Sequence, residues 1–241
     1  MNKLYEKSEL YFALTWIGIY CVVNSLANQV SDRIGIDSSV TAVCNLILTV
    51  LLFVWIRKRG LLRYYGLCGS SVPASKFLWY IPLVLFLSHN LWLGVGINAP
   101  LADTVCYIVS MLCVGFLEEI IFRGFLFRGL AKDNVKTAII ISSVTFGIGH
   151  ILNLFNGSGM ELVSNLCQVV GAVACGFLFV IIFYRGGSLI PCIIAHSLNN
   201  AVSIFANEMA WTTEKRVLIF GISTVIVVGY TWIVCVLSRP K

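Results

Sequence analysis

Apolar runs of bilayer-crossing length, each closed by a short polar turn, succeed one another along nearly the whole chain. A membrane helix needs about 20 mostly apolar residues, and about eight stretches meet that requirement. They lie near residues 10–30, 38–56, 77–97, 103–127, 137–155, 161–184, 188–206 and 217–237. The separators "SDRIGIDSS", "RKRGLLRYYGLCGSS", "NAPLAD", "AKDN", "NGSGM", "RGG" and "ANEMAWTTEKR" carry turn and helix-breaking residues. Of the 241 residues 59% are hydrophobic and 12% charged, whereas a soluble domain is about 25% charged. So few charges cannot coat a water-facing surface, and lipid becomes the solvent. The first run contains "SLA" at 25–27, a weak cleavage site, but it is too long for a signal peptide and reads as a retained anchor. The fold class expected is an all-α membrane protein, a polytopic bundle of about eight transmembrane helices, with 1–241 as a single transmembrane domain. No internal repeat and no room for a soluble domain are apparent.

Charge placement sets an orientation. The net charge is +6, yet the basic residues flank apolar runs instead of forming one face, so a nucleic-acid partner is excluded and the lipid bilayer is the expected neighbour. With the N-terminus inside, Lys3, Lys7, Arg57, Lys58, Arg59, Arg63, Lys76, Arg123, Arg128, Lys132, Lys136, Arg185, Arg239 and Lys241 fall on or near the cytoplasmic side. Only Arg33, Lys215 and Arg216 fall outside. This bias predicts a multi-pass protein of the cell membrane with both termini cytoplasmic. Nine cysteines are scattered without a CxxC pair, which fits small packing residues and neither a disulfide framework nor a zinc knuckle.

Three polar clusters interrupt the apolar spans. The fourth span carries Glu118, Glu119 and Arg123 in "VGFLEEIIFRGFLF"; the fifth carries Phe146, His150 and Asn153 in "FGIGHILN"; the seventh carries His196, Asn199 and Asn200 in "CIIAHSLNN". A charged side chain at the centre of a membrane helix costs about 2.5–3.5 kcal/mol on insertion scales, so such groups face the bundle interior and do work there. Glu119 and Arg123 are four apart and can pair on one helix face, while Glu118 points about 100° away. His196 and Asn200 share a face in the same manner. With helix edges near Arg128, Thr137 and Gly187, a rise of 1.5 Å per residue puts Glu118, His150 and His196 about 15, 20 and 14 Å inward, at a similar level of the cytoplasmic half.

Each cluster alone has a plain structural reading. Arg123 could snorkel from a helix end, His150 could be a bonded core histidine, and Asn199 and Asn200 could be interhelical glue. His89 in "LSHN" belongs to no cluster. Two adjacent buried carboxylates are hard to justify as glue, however, and the set is chemically complete for attack of water on an amide. Withdrawal from water makes a carboxylate a better proton acceptor. An imidazole and an amide can donate to a developing oxyanion, worth about 2.7–4 kcal/mol per donor. No serine in the clusters has both a base and an orienting acid.

EExxxR in "EEIIFR", FxxxH in "FGIGH" and HxxxN in "HSLNN", in that order, resemble the CPBP family, which contains the CAAX prenyl proteases of the Ras-converting type and the bacteriocin-processing and self-immunity proteins of the Abi group. The motif-bearing region, 103–206, is the catalytic core that this resemblance implies; the flanking spans are similar only in hydropathy. The resemblance implies an intramembrane endopeptidase acting on a membrane-associated peptide or protein. Carried over, Glu118 would be the catalytic base, His150 its partner on the water, and His196 with Asn200 the oxyanion hole. Glu119 and Arg123 would shape and neutralise the pocket, with Phe146 as support. No cofactor is required by this scheme; a metalloprotease with zinc on Glu118, His150 and His196 is the alternative. A non-catalytic immunity or peptide-binding protein and a proton-coupled transporter are the rival classes, the latter without a visible repeat.

Overall fold

The computed structural model describes residues 2–155 and 160–238, and within them the chain is helical without a strand. In order, the helices are α1 (Asn2–Lys7), α2 (Glu9–Ile34), α3 (Ser39–Lys58), α4 (Ile81–Ser88), α5 (Leu101–Glu118), a π-helical segment (Glu119–Phe127), α6 (Arg128–Ala131), α7 (Val135–Gly149), α8 (Leu162–Gly186), α9 (Ile190–Val202) and α10 (Thr213–Leu237). Six stretches are long and apolar enough to cross a membrane: Glu9–Ile34, Ser39–Lys58, Leu101–Ala131, Val135–Leu154, Leu162–Gly186 and Thr213–Leu237. The chain is an all-α polytopic membrane protein.

Two of the eight expected spans are shorter than their hydropathy implied. The stretch 77–97 contains only the eight-residue α4 between 3-10 turns, and 188–206 contains α9 followed by the 3-10 turn Ser203–Phe205. Proline is the cause at their starts: Pro82 and Pro191 occupy the first turn of α4 and α9, where a missing N–H is harmless but backward extension is blocked. Of the expected turn "NGSGM" only Met160 is described, and Arg239 and Lys241 also lie outside the described residues.

The other separators end helices by ordinary capping. Ser8, Asn134 and Thr212 accept hydrogen bonds from the backbone N–H groups of Tyr11, Thr137 and Lys215 at the starts of α2, α7 and α10. Gly35 and Gly187 close α2 and α8 in the left-handed region.

The helices bury a mixed stripe and show hydrocarbon to the outside. In α3, Thr41, Asn45, Leu48, Leu52 and Ile56 are buried, whereas Val43, Leu46, Ile47, Val50 and Leu51 are exposed. Buried polar groups are glued across helices: Asn45 Nδ2 donates to Asn24 Oδ1 at 3.0 Å and Ser110 Oγ at 3.2 Å, and Thr41 donates to Asn28 Oδ1 at 2.6 Å. α5 lies between α3 and α9, while α8 packs on both α7 and α10; the π-helical segment is enclosed by α2, α6, α7 and α8. The cation-rich helix ends meet at one end of the bundle, where Arg59 pairs with Glu6, Lys132 with Glu9, and Arg128 lies over the Phe183 ring.

Three contacts between helices rest on the absence of a side chain. A Cβ on Gly115 would lie 2.7 Å from Ser197 Cα, one on Gly147 2.8 Å from the Val173 nitrogen, and one on Gly176 2.9 Å from Ser143 Cα. These glycines let α5 approach α9 and α7 approach α8 backbone to backbone, in the small-residue mode of membrane helices. Gly115→Ala should therefore lower the thermal unfolding midpoint of the detergent-solubilised protein, by an overpacking cost of about 1–3 kcal/mol. Gly221→Ala, with open space around its added methyl, should leave the midpoint unchanged; equal behaviour of the two variants would refute the close-approach argument.

Candidate active site

The site is assembled where α5 passes into its π-helical continuation. Glu118 is the last residue of α5, and Glu119 opens a nine-residue wide turn in which every side chain is buried. A regular α-helix through residue 127 is the expectation from periodicity; instead one extra residue per turn is accommodated, as is frequent at functional sites. Enclosure on several sides by α2, α6, α7 and α8 explains why Ile120, Phe122, Phe125 and Phe127 are all hidden along with Arg123.

Glu119 and Arg123 are both fully buried and meet at 3.0 Å, Oε1 to Nη1. That contact is not aligned as a hydrogen bond, so its attraction is Coulombic, and the guanidinium lies over the Phe146 ring at 4.0 Å. The same Glu119 Oε1 is 2.9 Å from His196 Nδ1. The other nitrogen of that ring, Nε2, lies 3.5 Å from Glu118 Oε2. His196 therefore spans the two neighbouring carboxylates, one on each ring nitrogen. Glu118 Oε1 accepts a hydrogen bond from the Tyr20 hydroxyl of α2 at 2.8 Å, and its Oε2 accepts none within the protein.

His150 joins this group through Phe146. It caps α7, and its Nδ1 lies 3.1 Å from the Phe146 carbonyl, which can only accept; the proton is thus on Nδ1 and Nε2 is left as an acceptor. The Phe146 ring is edge-on to both imidazoles, with centroids 5.1 Å from His150 and 5.7 Å from His196. Glu118, Arg123 and His196 all lie within electrostatic reach of His150. Asn165 of α8, fully buried, donates to the His150 carbonyl at 2.8 Å and so fixes the end of α7.

Of the residues singled out in the sequence, the structure brings Glu118, Glu119, Arg123, Phe146, His150 and His196 together. Asn200 lies one turn beyond His196 on the same face, but its Oδ1 meets only the Asn199 amide, at 3.5 Å. Asn153 points to α8, donating to Gln168 at 2.9 Å. His89 is buried apart from the cluster, between the rings of Phe86 and Phe220. Tyr20 and Asn165 escaped the sequence reading. A tyrosine within a first apolar run carries no local mark of a partner 98 residues away.

Among the described residues no three of His, Cys, Asp and Glu are grouped to hold a metal ion. In the expected zinc set one atom of each residue makes a protein contact, His196 Nδ1 with Glu119, Glu118 Oε1 with Tyr20 and His150 Nδ1 with a carbonyl, as the outer atoms of metal ligands also do.

Fold and site together define a polytopic helical membrane protein with a buried acid–imidazole centre. Residues 100–202, the stretch holding all three motifs, match the family described as "Type II CAAX prenyl endopeptidase Rce1-like". The resemblance drawn from the motifs is supported by this match, which is to membrane endopeptidases of the CAAX type in general. No curated protein and no solved structure matches the chain.

The burial of the ion pair yields a stability prediction. Arg123→Met strands the Glu119 carboxylate in a dry interior, at a cost of about 3–5 kcal/mol, and should lower the unfolding midpoint by roughly 10 °C. The double variant Glu119→Gln, Arg123→Met removes both charges and should unfold at a higher temperature than the Arg123→Met single. If the double variant is the less stable of the two, the pair is not what holds this charge in place.

Proposed function

We propose that the chain is an intramembrane endopeptidase in which Glu118 and His150 activate water against a peptide bond of a membrane-associated protein or peptide. The observation that supports it above all is Glu118 held by Tyr20 at one oxygen, its other oxygen free of protein hydrogen bonds and next to His196. Glu118 Oε2 takes one proton of the water, and His150 Nε2 accepts a hydrogen bond from the other, which aims the oxygen lone pair at the carbonyl. With a proton on each ring nitrogen, His196 donates to Glu119 from Nδ1 and presents Nε2–H to the developing oxyanion. Two carboxylates, one guanidinium and one imidazolium then sum to zero charge, as a water-poor interior requires. The Asn200 Nδ2, one turn further along α9 on the same face, supplies the second oxyanion donor, the contact with Asn199 being made by its Oδ1. Collapse of the tetrahedral intermediate breaks the C–N bond, and Glu118 returns its proton to the leaving amine.

The cation-rich end of the bundle faces the cytoplasm in this reading, with both termini inside, in line with the positive-inside bias. The role is peptide maturation, of a bacteriocin or signalling precursor, or self-immunity, because the resembled family includes such members.

Glu118→Gln should lower cleavage of a membrane-proximal reporter peptide by at least about 10²-fold, the size of a general-base contribution, with an unchanged unfolding profile. Wild-type turnover by that variant would reject the assigned base. Tyr20→Phe removes only the hydroxyl and should lower kcat while sparing KM. Chelator treatment followed by elemental analysis should leave cleavage intact in metal-free protein; loss on chelation with recovery on zinc would replace water activation by Glu118 alone.

A further inference from the structure

Between α2, α3 and α5 a ladder of polar residues runs down to Glu118. Asn28 Oδ1 accepts from Thr41 at 2.6 Å and Asn24 Oδ1 from Asn45 Nδ2 at 3.0 Å, so each one-turn step along α2 is matched by one along α3. The next step on α2 is Tyr20, whose hydroxyl donates to Glu118 Oε1 at 2.8 Å. Asn24 Nδ2 also donates to the Tyr20 carbonyl, at 3.0 Å. On its other side Asn45 Nδ2 donates to Ser110 Oγ at 3.2 Å. Ser110 belongs to α5, about 12 Å along the helix from Glu118.

These contacts close a loop. From Ser110 of α5 the hydrogen bonds run to Asn45 of α3, then to Asn24 and Tyr20 of α2, and back to α5 at Glu118. α5 packs on α3 and α9, and α2 on α3 and the π-helical segment. On the side of Glu118 away from that segment, α3 therefore joins α2 to α5, and Asn45 does so by direct bonds. An amide has two N–H donors, and Asn45 gives one to each neighbouring helix, whereas the Thr41 rung ties α2 to α3 alone. Adhesion does not account for Asn45. The residue is fully buried and its Oδ1 has no hydrogen-bond partner within the protein, a cost that an apolar side chain avoids. What the amide adds is register. A slide of α2 by one residue's rise, about 1.5 Å, is roughly three times the width of the O–H···O distance range.

We propose that Asn45 is a positioning residue for the acid–imidazole centre: it clamps α2 and α5 in the register that keeps the Tyr20 hydroxyl on Glu118. Its weight in cleavage rests on the endopeptidase reading above. Loss of the clamp acts through Tyr20 and deprives Glu118 of its protein donor. The contacts of Glu119 with Arg123 and His196 involve neither α2 nor α3 and stay in place.

The test has a spectroscopic arm and a kinetic one. Fluorotyrosine placed at position 20 alone reports, by fluorine NMR in detergent, whether the phenol is hydrogen-bonded; Glu118→Leu, which removes the acceptor, gives the reference for the free hydroxyl. Asn45→Leu should move the resonance to or towards that reference, and Thr41→Val should leave it at the wild-type position. Ser110→Ala, which cuts only the α5 end of the clamp, should act as Asn45→Leu does, and it decides the question if the latter fails to fold by its unfolding midpoint. In cleavage assays Asn45→Leu should lower kcat about tenfold, the size of one hydrogen bond to a charged group, with KM unchanged. In a Tyr20→Phe background it should cost nothing further. A wild-type resonance in the folded clamp variants, an equal displacement by Thr41→Val, or a kcat loss that multiplies with that of Tyr20→Phe would overturn the assignment. A wild type that hydrolyses no peptide would overturn the endopeptidase reading alone, since the resonance positions involve no catalytic step.

Discussion

Arg123 and Glu119, fully enclosed by protein in the middle of a membrane bundle, set the terms for everything near them. Each would be prohibitive there by itself, and even as a pair they gain little over a well-packed apolar replacement. Their retention is better explained by geometry than by stability. Glu119 Oε1 serves two partners, Arg123 Nη1 and His196 Nδ1, so the arginine holds the carboxylate and the carboxylate holds the imidazole. The guanidinium, in turn, is seated on Phe146, whose ring also borders both histidines. One buried charge pair thereby sets the pose of a ring that faces Glu118.

The adjacency of the two glutamates follows from the same constraint. A helix presents neighbouring residues about 100° apart, so one carboxylate can be committed to Arg123 while the next faces a different space. Glu118 has a single protein donor, Tyr20, and retains slight exposure, with 13% of its side chain accessible against none for Glu119. The two consecutive positions thus differ in surroundings, Glu119 closed in by Arg123 and His196 and Glu118 with one oxygen left without a protein hydrogen bond.

Much of this centre was legible in the chain because its parts are local. The i, i+4 relation of Glu119 and Arg123, the divergence of Glu118, and the presence of polar residues at similar levels of three apolar runs need only helical geometry and hydropathy. What escaped is what depends on distant residues or on turn width. A π-helical segment has no compositional signature, since "EIIFRGFLF" reads equally well as α-helix. Tyr20 and Asn165 look like ordinary members of apolar runs until α2 and α8 are placed against Glu118 and His150. The shortness of α4 was hidden because a hydropathy window registers apolar residues without registering that Pro82 forbids helix before it. Asn200 shows the limit from the opposite direction: its spacing puts it on the face of His196, yet its oxygen meets Asn199.

The glycines make the remaining link from packing to chemistry. Gly115 lies three residues before Glu118 and faces Ser197, the neighbour of His196. A helix contact without side chains between them brings the two backbones together within one turn of Glu118 and His196, and Ser197 Oγ closes it by donating to the Leu112 carbonyl at 2.9 Å. Gly147 performs the corresponding task for α7, packing on Val173 one residue after Phe146 and three before His150. Glu118, Phe146, His150 and His196 are thus each within a turn of a point where their helix is locked against a neighbour. Longer side chains at those points would push the helices apart and so disturb the 3.5 Å approach of His196 to Glu118. The close approach of the backbones is therefore a condition of the acid–imidazole contact.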